Sequence, residues 1–193
     1  MLTTRHLALT THRYDGSQLR RGWIAQTFGL AGEAIAAFSG GCDVSPEHML
    51  DLADLQAGDT ISATLMLHFI VEHPGIGLPL AVARQRLLVA VAKDVLSDEH
   101  GVAGLTRSGD DLYLGDRKLS ISIAALAPAS ASVRAAGLIH FALNIDPTGA
   151  PVPAVGLREL GVDEQALADR IQEAYAQEIA SCEHAAGKVR PAR

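Results

Sequence analysis

The chain has 193 residues, 48% hydrophobic, 20% charged and 4% aromatic, so it can build one sizeable core mainly from Leu, Ile, Val and Ala, and one domain over residues 1–193 is expected. A formal net charge of -6 without any clustered Lys or Arg run excludes the basic surface that non-specific nucleic-acid binding needs. Cys42 and Cys182 are too few for a disulfide scaffold, and no apolar segment reaches the roughly 20 residues of a membrane helix. No basic region precedes a long apolar stretch at the N-terminus, so a cytoplasmic protein with no membrane partner is expected.

Residues 5–10 read as a short strand. Ser17 is the expected N-cap of a helix that carries Leu19, Trp23, Ile24 and Phe28 on one stripe and stops at Gly29. Residues 33–38 form a second short strand, followed by a Gly-rich turn at Ser39-Gly40-Gly41-Cys42-Asp43, a turn or short helix opened by Pro46, and a break at Gly58-Asp59. A long strand then runs from Thr60 to about Glu72. Over residues 80–96, Leu80, Ala83, Leu87, Leu88, Val91 and Val95 recur at helical spacing as a core-facing stripe. Strands follow at 102–107 leading into 111–114, at 118–126 after a Gly115-Asp116 hairpin turn, and at 136–145. Pro147, Pro151 and Pro153 make the next connection irregular. Asp163 caps a last helix with Leu167, Ile171, Ala174, Tyr175 and Ile179 inward, and a frayed tail is expected from about residue 185. Strands outnumber helices and are joined by short turns, so the expected fold class is α+β, an antiparallel or mixed β-sheet with helices packed on one face.

Alternation along extended chain divides the three best strands into two faces. Ile61, Ala63, Leu65, Leu67, Phe69 and Val71 lie opposite Ser62, Thr64, Met66, His68, Ile70 and Glu72. Leu119, Ile121 and Ile123 lie opposite Lys118, Ser120, Ser122 and Ala124, and Ile139, Phe141, Leu143 and Ile145 lie opposite Leu138, His140, Ala142 and Asn144. The first side of each packs helices. The second mixes hydroxyls, two histidines and an asparagine, which reads as either a ligand-lined face or a plain solvated one.

Lys118 opens its strand directly after an acidic turn, where an ammonium would neutralise a carboxylate or phosphate; the plain alternative is a surface lysine in a hairpin. Asp110 and Asp111 would hold a cation or pair with Arg107 and Lys118, or simply make the turn. His68, Glu72 and His73 do not read as a metal site, because on a strand His73 points away from the other two. His68 and His140 would form a pair between strands or sit as core histidines. Gly40 and Gly41 would free backbone N–H groups for an anion or mark a turn. Cys42 beside them is either a nucleophile with a base nearby or a small buried residue.

From Arg84 to Asp146 the order of these features resembles the central part of the biotin/lipoate protein ligase superfamily. That superfamily has a core helix, a turn of the form Lys-Trp-Pro-Asn-Asp, a short hairpin, a lysine opening the next strand, and a strand ending Gly-x-Gly-x-Asn. Here those places are taken by the helix through Arg84, by Arg107-Ser-Gly-Asp110-Asp111, by Gly115-Asp116-Arg117, by Lys118, and by His140-Phe-Ala-Leu-Asn144. Ser108 and Gly109 stand in place of the Trp and Pro, and His140 in place of a Gly. The chain therefore resembles one of the domain-of-unknown-function branches of the superfamily more than a biotin or lipoate ligase.

The resemblance implies that Lys118 contacts the acyl carbonyl and phosphate of an acyl-adenylate, with Asp111 and Asn144 in support. It also implies that Ser39-Gly40-Gly41 is similar to the glycine loop of the lipoate branch. The expected function is binding of a small carboxylate or acyl-adenylate with acyl activation or transfer. Lys118 is the expected catalytic anchor, and Gly40, Gly41, His68, Glu72, Arg107, Asp110, Asp111, Ser122, His140 and Asn144 line the binding site. A ligase would use ATP, a transfer would need an acceptor protein, and exposed edge strands would favour a homodimer. A non-catalytic small-molecule binding or sensory module on the same scaffold is the alternative. Behind it stand a cysteine acyltransferase using Cys42 and Lys118 and a metal-dependent hydrolase using His68 and His140.

Overall fold

The computed structural model describes residues 2–131 and 133–190, with residues 4–11 described by their backbone. Extended runs rich in Ile, Val, Leu and Thr form β1 (Thr3–Thr11), β2 (Ala34–Val44), β3 (Ile61–Pro74), β4 (Leu105–Ser108), β5 (Asp111–Leu114), β6 (Arg117–Lys118), β7 (Ser120–Ala127) and β8 (Ala136–Asp146). The helices are α1 (Trp23–Phe28), α2 (Leu52–Ala57), α3 (Leu78–Asp94), α4 (Leu157–Leu160) and α5 (Glu164–Gly187). A 3-10 turn lies at Pro46–His48, and a π turn at Val95–Glu99 continues α3.

A five-stranded sheet in the order β1-β2-β3-β8-β7 carries the fold, with β1 parallel to β2 and the other neighbours antiparallel; β4, β5 and β6 form a small separate antiparallel sheet. The fold class is α+β. Both long helices lie on one face, where Leu88, Val89 and Ala92 of α3 and Leu167, Ile171, Tyr175 and Ile179 of α5 meet Leu67, Phe69, Val71, Ile139, Phe141 and Leu143. Asp163 caps α5 as its spacing predicts, accepting from the Ala166 N–H at 2.7 Å. The helix continues to Gly187, past the point where fraying was expected, and residues 191–193 lie outside the described residues.

The stripe of α3 is rotated from the predicted one. Ala81, Gln85, Leu88, Val89 and Ala92 are buried, while Leu80 is 48% exposed and Ala83 is exposed. Leu80 and Ala83 supplied apolar character to the pattern without facing the core, and a glutamine occupies the inward position between Ala81 and Leu88.

The opposite face is covered too. Tyr14, Leu19 and the α1 residues Trp23, Ile24 and Phe28 pack on Ala34, Ala36 and Phe38 of β2, Met66 and Ile70 of β3, and Leu138 and Ala142 of β8. Strands β3 and β8 are therefore buried on both sides, which is why their apolar runs are nearly continuous. Helix α1 begins at Trp23 after Gly22, and Ser17 instead bonds the Asp15 carboxylate at 2.6 Å.

Two local irregularities, a register shift beside β2 and a break at Leu119, change which side chains share a face. Strand β2 runs straight through Ser39-Gly40-Gly41, so the predicted Gly-rich turn is strand. Its register with β3 shifts between Gly40 and Cys42, pairing Cys42 with Ala63 and Gly40 with Met66. Ile61 and Ala63 thereby join Met66 instead of Leu65, because one extra residue in a ladder reverses the sides beyond it. The predicted strand 118–126 is divided at Leu119, which drops fully buried into the helix-side core. Beyond that break Ile121 and Ile123 oppose Ala142 and His140, and Ser120 and Ser122 pair with Leu143 and Phe141 on the helix side. Ser122 thus leaves the face to which alternation assigned it.

Candidate functional site

At one end of the main sheet, α2, the start of β3, the β5–β6 hairpin and the irregular segment after β8 enclose a cleft of about 470 Å³. Its lining includes Asp51, Asp54, Asp59, Asp110, Asp111, Lys118, Ser122 and Asn144. A narrow recess of about 60 Å³ shares Asp51, Asp54, Ile61, Ile121 and Ser122 with it. That recess continues along Tyr14, Leu19, Met49, Leu50, Ile123 and His140. The space is polar and acidic at its wide end and apolar at its narrow one.

Lys118 is held by its backbone. Its N–H donates to the Pro153 carbonyl at 2.9 Å, and its carbonyl accepts from Val155 N at 3.1 Å and from the Asn144 side-chain amide at 3.1 Å. The ammonium pairs with Asp111 Oδ2 at 2.9 Å. Burial raises the Asp111 pKa while Lys118 pulls it down, and the upward effect wins. Burial also raises Asp54, helped by the charges of Asp51 and Asp59 and opposed by Lys118. With five aspartates lining the cleft against one lysine, an anion is attracted only close to Lys118, and a polyanion needs to bring its own cation.

Asp110 is anchored from α3. It accepts from Gln85 Nε2 at 2.7 Å and from the Ser122 hydroxyl at 2.9 Å, and pairs with Arg86 at 2.8 Å. Gln85 also reaches Ser122 at 2.7 Å. These two α3 side chains were not among the expected site residues; their signal in the sequence was a glutamine at a core-facing helical position followed by an arginine.

The other predicted site residues go elsewhere. Arg107 is exposed on β4, donates to the Gly109 carbonyl at 2.6 Å, and does not line the cleft. Glu72 accepts from the Gly22 N–H at 2.8 Å and so anchors the chain at the start of α1. Gly40 and Gly41 do not form an open anion cradle. A Cβ on Gly40 would lie 1.7 Å from the His12 carbonyl oxygen, because residues 12–14 run against β2 through His12 N to Ser39 O at 3.1 Å and Tyr14 N to Gly41 O at 2.9 Å. Cys42 is buried beneath that segment, and burial pushes its thiol up to about 12, which disfavours the thiolate.

His68 and His140 sit fully within the second core layer. His68 Nδ1 lies 3.0 Å from His140 Nε2, and His68 Nε2 lies 3.2 Å from the Gly40 carbonyl. Burial pulls the His68 pKa down to about 4 and that of His140 well below the usual histidine value. The Tyr14 ring stacks on His140 with centroids 3.7 Å apart. Among the described residues no three His, Cys, Asp or Glu side chains are grouped to hold a metal ion, and no helix is long and apolar enough to cross a membrane.

Residues 4–190 match a family described as "Domain of unknown function (DUF366)". The chain is 35% identical over 185 residues to "Uncharacterized protein MJ0805" of Methanocaldococcus jannaschii, covering 92% of this chain and 80% of that one. A solved structure of a "Protein of Unknown Function from Pyrococcus horikoshi" is 34% identical with a TM-score of 0.92 over 100% of both chains. At 10% identity, the biotin protein ligase of Aquifex aeolicus in complex with biotin and ATP superposes with a TM-score of 0.53, covering 91% of this chain and 68% of that one. "Ta0514, putative lipoate protein ligase" of T. acidophilum does so at 11% identity and 0.52, covering 89% and 84%. The fold is that of the biotin/lipoate ligases.

Proposed function

The chain belongs to the DUF366 family, and we propose that it binds a small carboxylic acid or its acyl-adenylate in the cleft, with the carboxyl end at Lys118 and the apolar part in the recess. The observation that carries this reading is the Lys118–Asp111 pair, 2.9 Å apart, in the polar compartment that adjoins an apolar one. A ligand with one anionic end and an apolar body matches both. The ligase-like fold and the place of Lys118 in the superfamily's order of elements support acyl activation as the chemistry.

In that reaction a carboxylate oxygen attacks the α-phosphorus of ATP. An oxygen–phosphorus bond forms, the bond to the β-phosphate breaks and pyrophosphate leaves. An acceptor nucleophile then attacks the acyl carbon, loses its proton and releases AMP. Lys118 stabilises the negative charge that gathers on the phosphoryl and acyl oxygens, Asp111 holds its ammonium in place, and Asn144 fixes its backbone. A nucleotide would enter this acidic cleft more readily with Mg²⁺, which one or two of the cleft carboxylates Asp51, Asp54 and Asp59 would help to hold and which would offset the phosphate charge.

The closure of Gly40 and Gly41 by residues 12–14 supports a second reading, a binding or sensory module that takes the carboxylate without nucleotide. Calorimetry with short- and medium-chain carboxylates, with and without MgATP, separates the two. Activation predicts that each ligand strengthens binding of the other, whereas a sensor takes the carboxylate alone. On either reading Lys118→Ala weakens carboxylate binding by on the order of tenfold or more. Unchanged affinity in that variant removes Lys118 from the site.

A further inference from the structure

The histidine pair beneath Tyr14 has a fixed direction. A carbonyl oxygen only accepts, so His68 Nε2, 3.2 Å from Gly40 O, carries the proton. Burial keeps His68 neutral, so its Nδ1 is a bare acceptor, and His140 Nε2 at 3.0 Å must be the donor to it. His140 is neutral as well, which leaves its Nδ1 with a lone pair and no hydrogen. The tautomers of both rings therefore follow from one backbone carbonyl. His140 lines the narrow recess, and Tyr14 stacks on its ring face.

Resting on the reading that the cleft takes a carboxylic acid, we propose that His140 Nδ1 is the specificity-determining acceptor of the recess, selecting acids that carry a hydroxyl or N–H donor at the end remote from the carboxyl group. The distance fits a medium-length chain. Asn144, which holds Lys118, and His140 lie four residues apart on one side of β8, a span of about 13 Å at strand rise. Between them Ile61, Ile121 and Ile123 face the recess, with Asp51, Asp54 and Ser122 at its mouth and His48 also in its lining, so a polar group set against the isoleucines is penalised and one at the tip is met. A tip that only accepts, such as a second carboxylate or an ether, faces lone pair against lone pair.

The test compares octanoate with ω-hydroxyoctanoate by calorimetry on the full chain and on His140→Phe and His140→Met. Octanoate reports the recess and Lys118, and the hydroxyl adds the contact that the two His140 variants remove. The intact protein binds ω-hydroxyoctanoate roughly three- to tenfold more tightly than octanoate, the gain of one neutral hydrogen bond. In both variants that ratio falls to one, whatever the change in octanoate affinity itself, an outcome that mere loosening of the core does not produce. His140→Met keeps the test open if the phenylalanine variant does not fold. Octanoate binding without preference for the hydroxy acid, or a preference retained in a folded variant, overturns the role of His140 and leaves the carboxylate reading standing. Binding of neither acid, with or without MgATP, overturns both.

Discussion

Gly40 tests whether the pair of glycines serves packing or anion binding, because the two roles predict opposite results for the smallest possible change. In Gly40→Ala the new methyl carbon would lie 1.7 Å from the His12 carbonyl oxygen and 2.6 Å from its carbon. Both contacts are backbone, so no rotamer relieves them. Residues 12–14 must lift from β2, and with them go three hydrogen bonds: His12 N to Ser39 O, Tyr14 N to Gly41 O, and Asp43 N to Tyr14 O at 3.0 Å. At about 1 kcal/mol each the loss is about 3 kcal/mol, which for a chain of this length lowers the melting temperature by roughly 6–12 °C. Gly41→Ala is the control, since its nearest contact is Thr64 O at 3.3 Å, which a shift of a few tenths of an ångström relieves. Scanning calorimetry of both variants reads the difference, and hydrogen exchange at the Tyr14 amide localises it. A Gly40→Ala melting temperature within a degree or two of the parent, or equal losses in both variants, would refute the packing argument.

Two further outcomes follow from buried groups and caps. The folded-state pKa values of His68 and His140 are depressed, so the stability linked to them is present above the unfolded value of 6.5 and is lost as pH falls. Between pH 6.5 and about 4 each unfolding chain takes up protons at both sites, and the stability falls by up to about 1.4 kcal/mol per pH unit per histidine; a melting temperature flat over that window contradicts the neutral pair. The caps of α2 and α5 separate local from global stability. Asp163→Ala costs about 1 kcal/mol and roughly 2–4 °C, because α5 buries Leu167, Ile171, Tyr175 and Ile179. Asp51→Ala removes an equivalent cap from α2, which buries no residue, and leaves the melting temperature unchanged; an equal drop for both would show that α2 is coupled to the core.

The sequence makes the middle of the sheet legible because strict alternation and double burial coincide there. Residues 67–72 of β3 and 138–145 of β8 distribute between the two core layers as their period demands. Alternation fails near the cleft for a physical reason. The extra residue between Ala63 and Met66 and the break at Leu119 are set by what the neighbouring strands need, and nothing local marks either position. Those slips move Ile61, Ala63, Ile121 and Ile123 onto the histidine side and Ser122 onto the helix side, and so give the recess its apolar walls. Gly40 and Gly41 look like a turn in one dimension; that another segment crosses them is a tertiary fact.

What sequence order does convey is the juxtaposition of Lys118, Asp111 and Asn144, since a two-residue hairpin turn and an antiparallel neighbour leave little freedom in how they meet. The tightest constraints on the site, however, pass through main-chain groups. Asn144 grips the Lys118 carbonyl, and Gly40 O sets the tautomers of His68 and His140. A backbone carbonyl has no identity in the sequence. Which nitrogen of each histidine carries its hydrogen therefore becomes readable only once the strand that presents Gly40 is seen beside the one that presents His68.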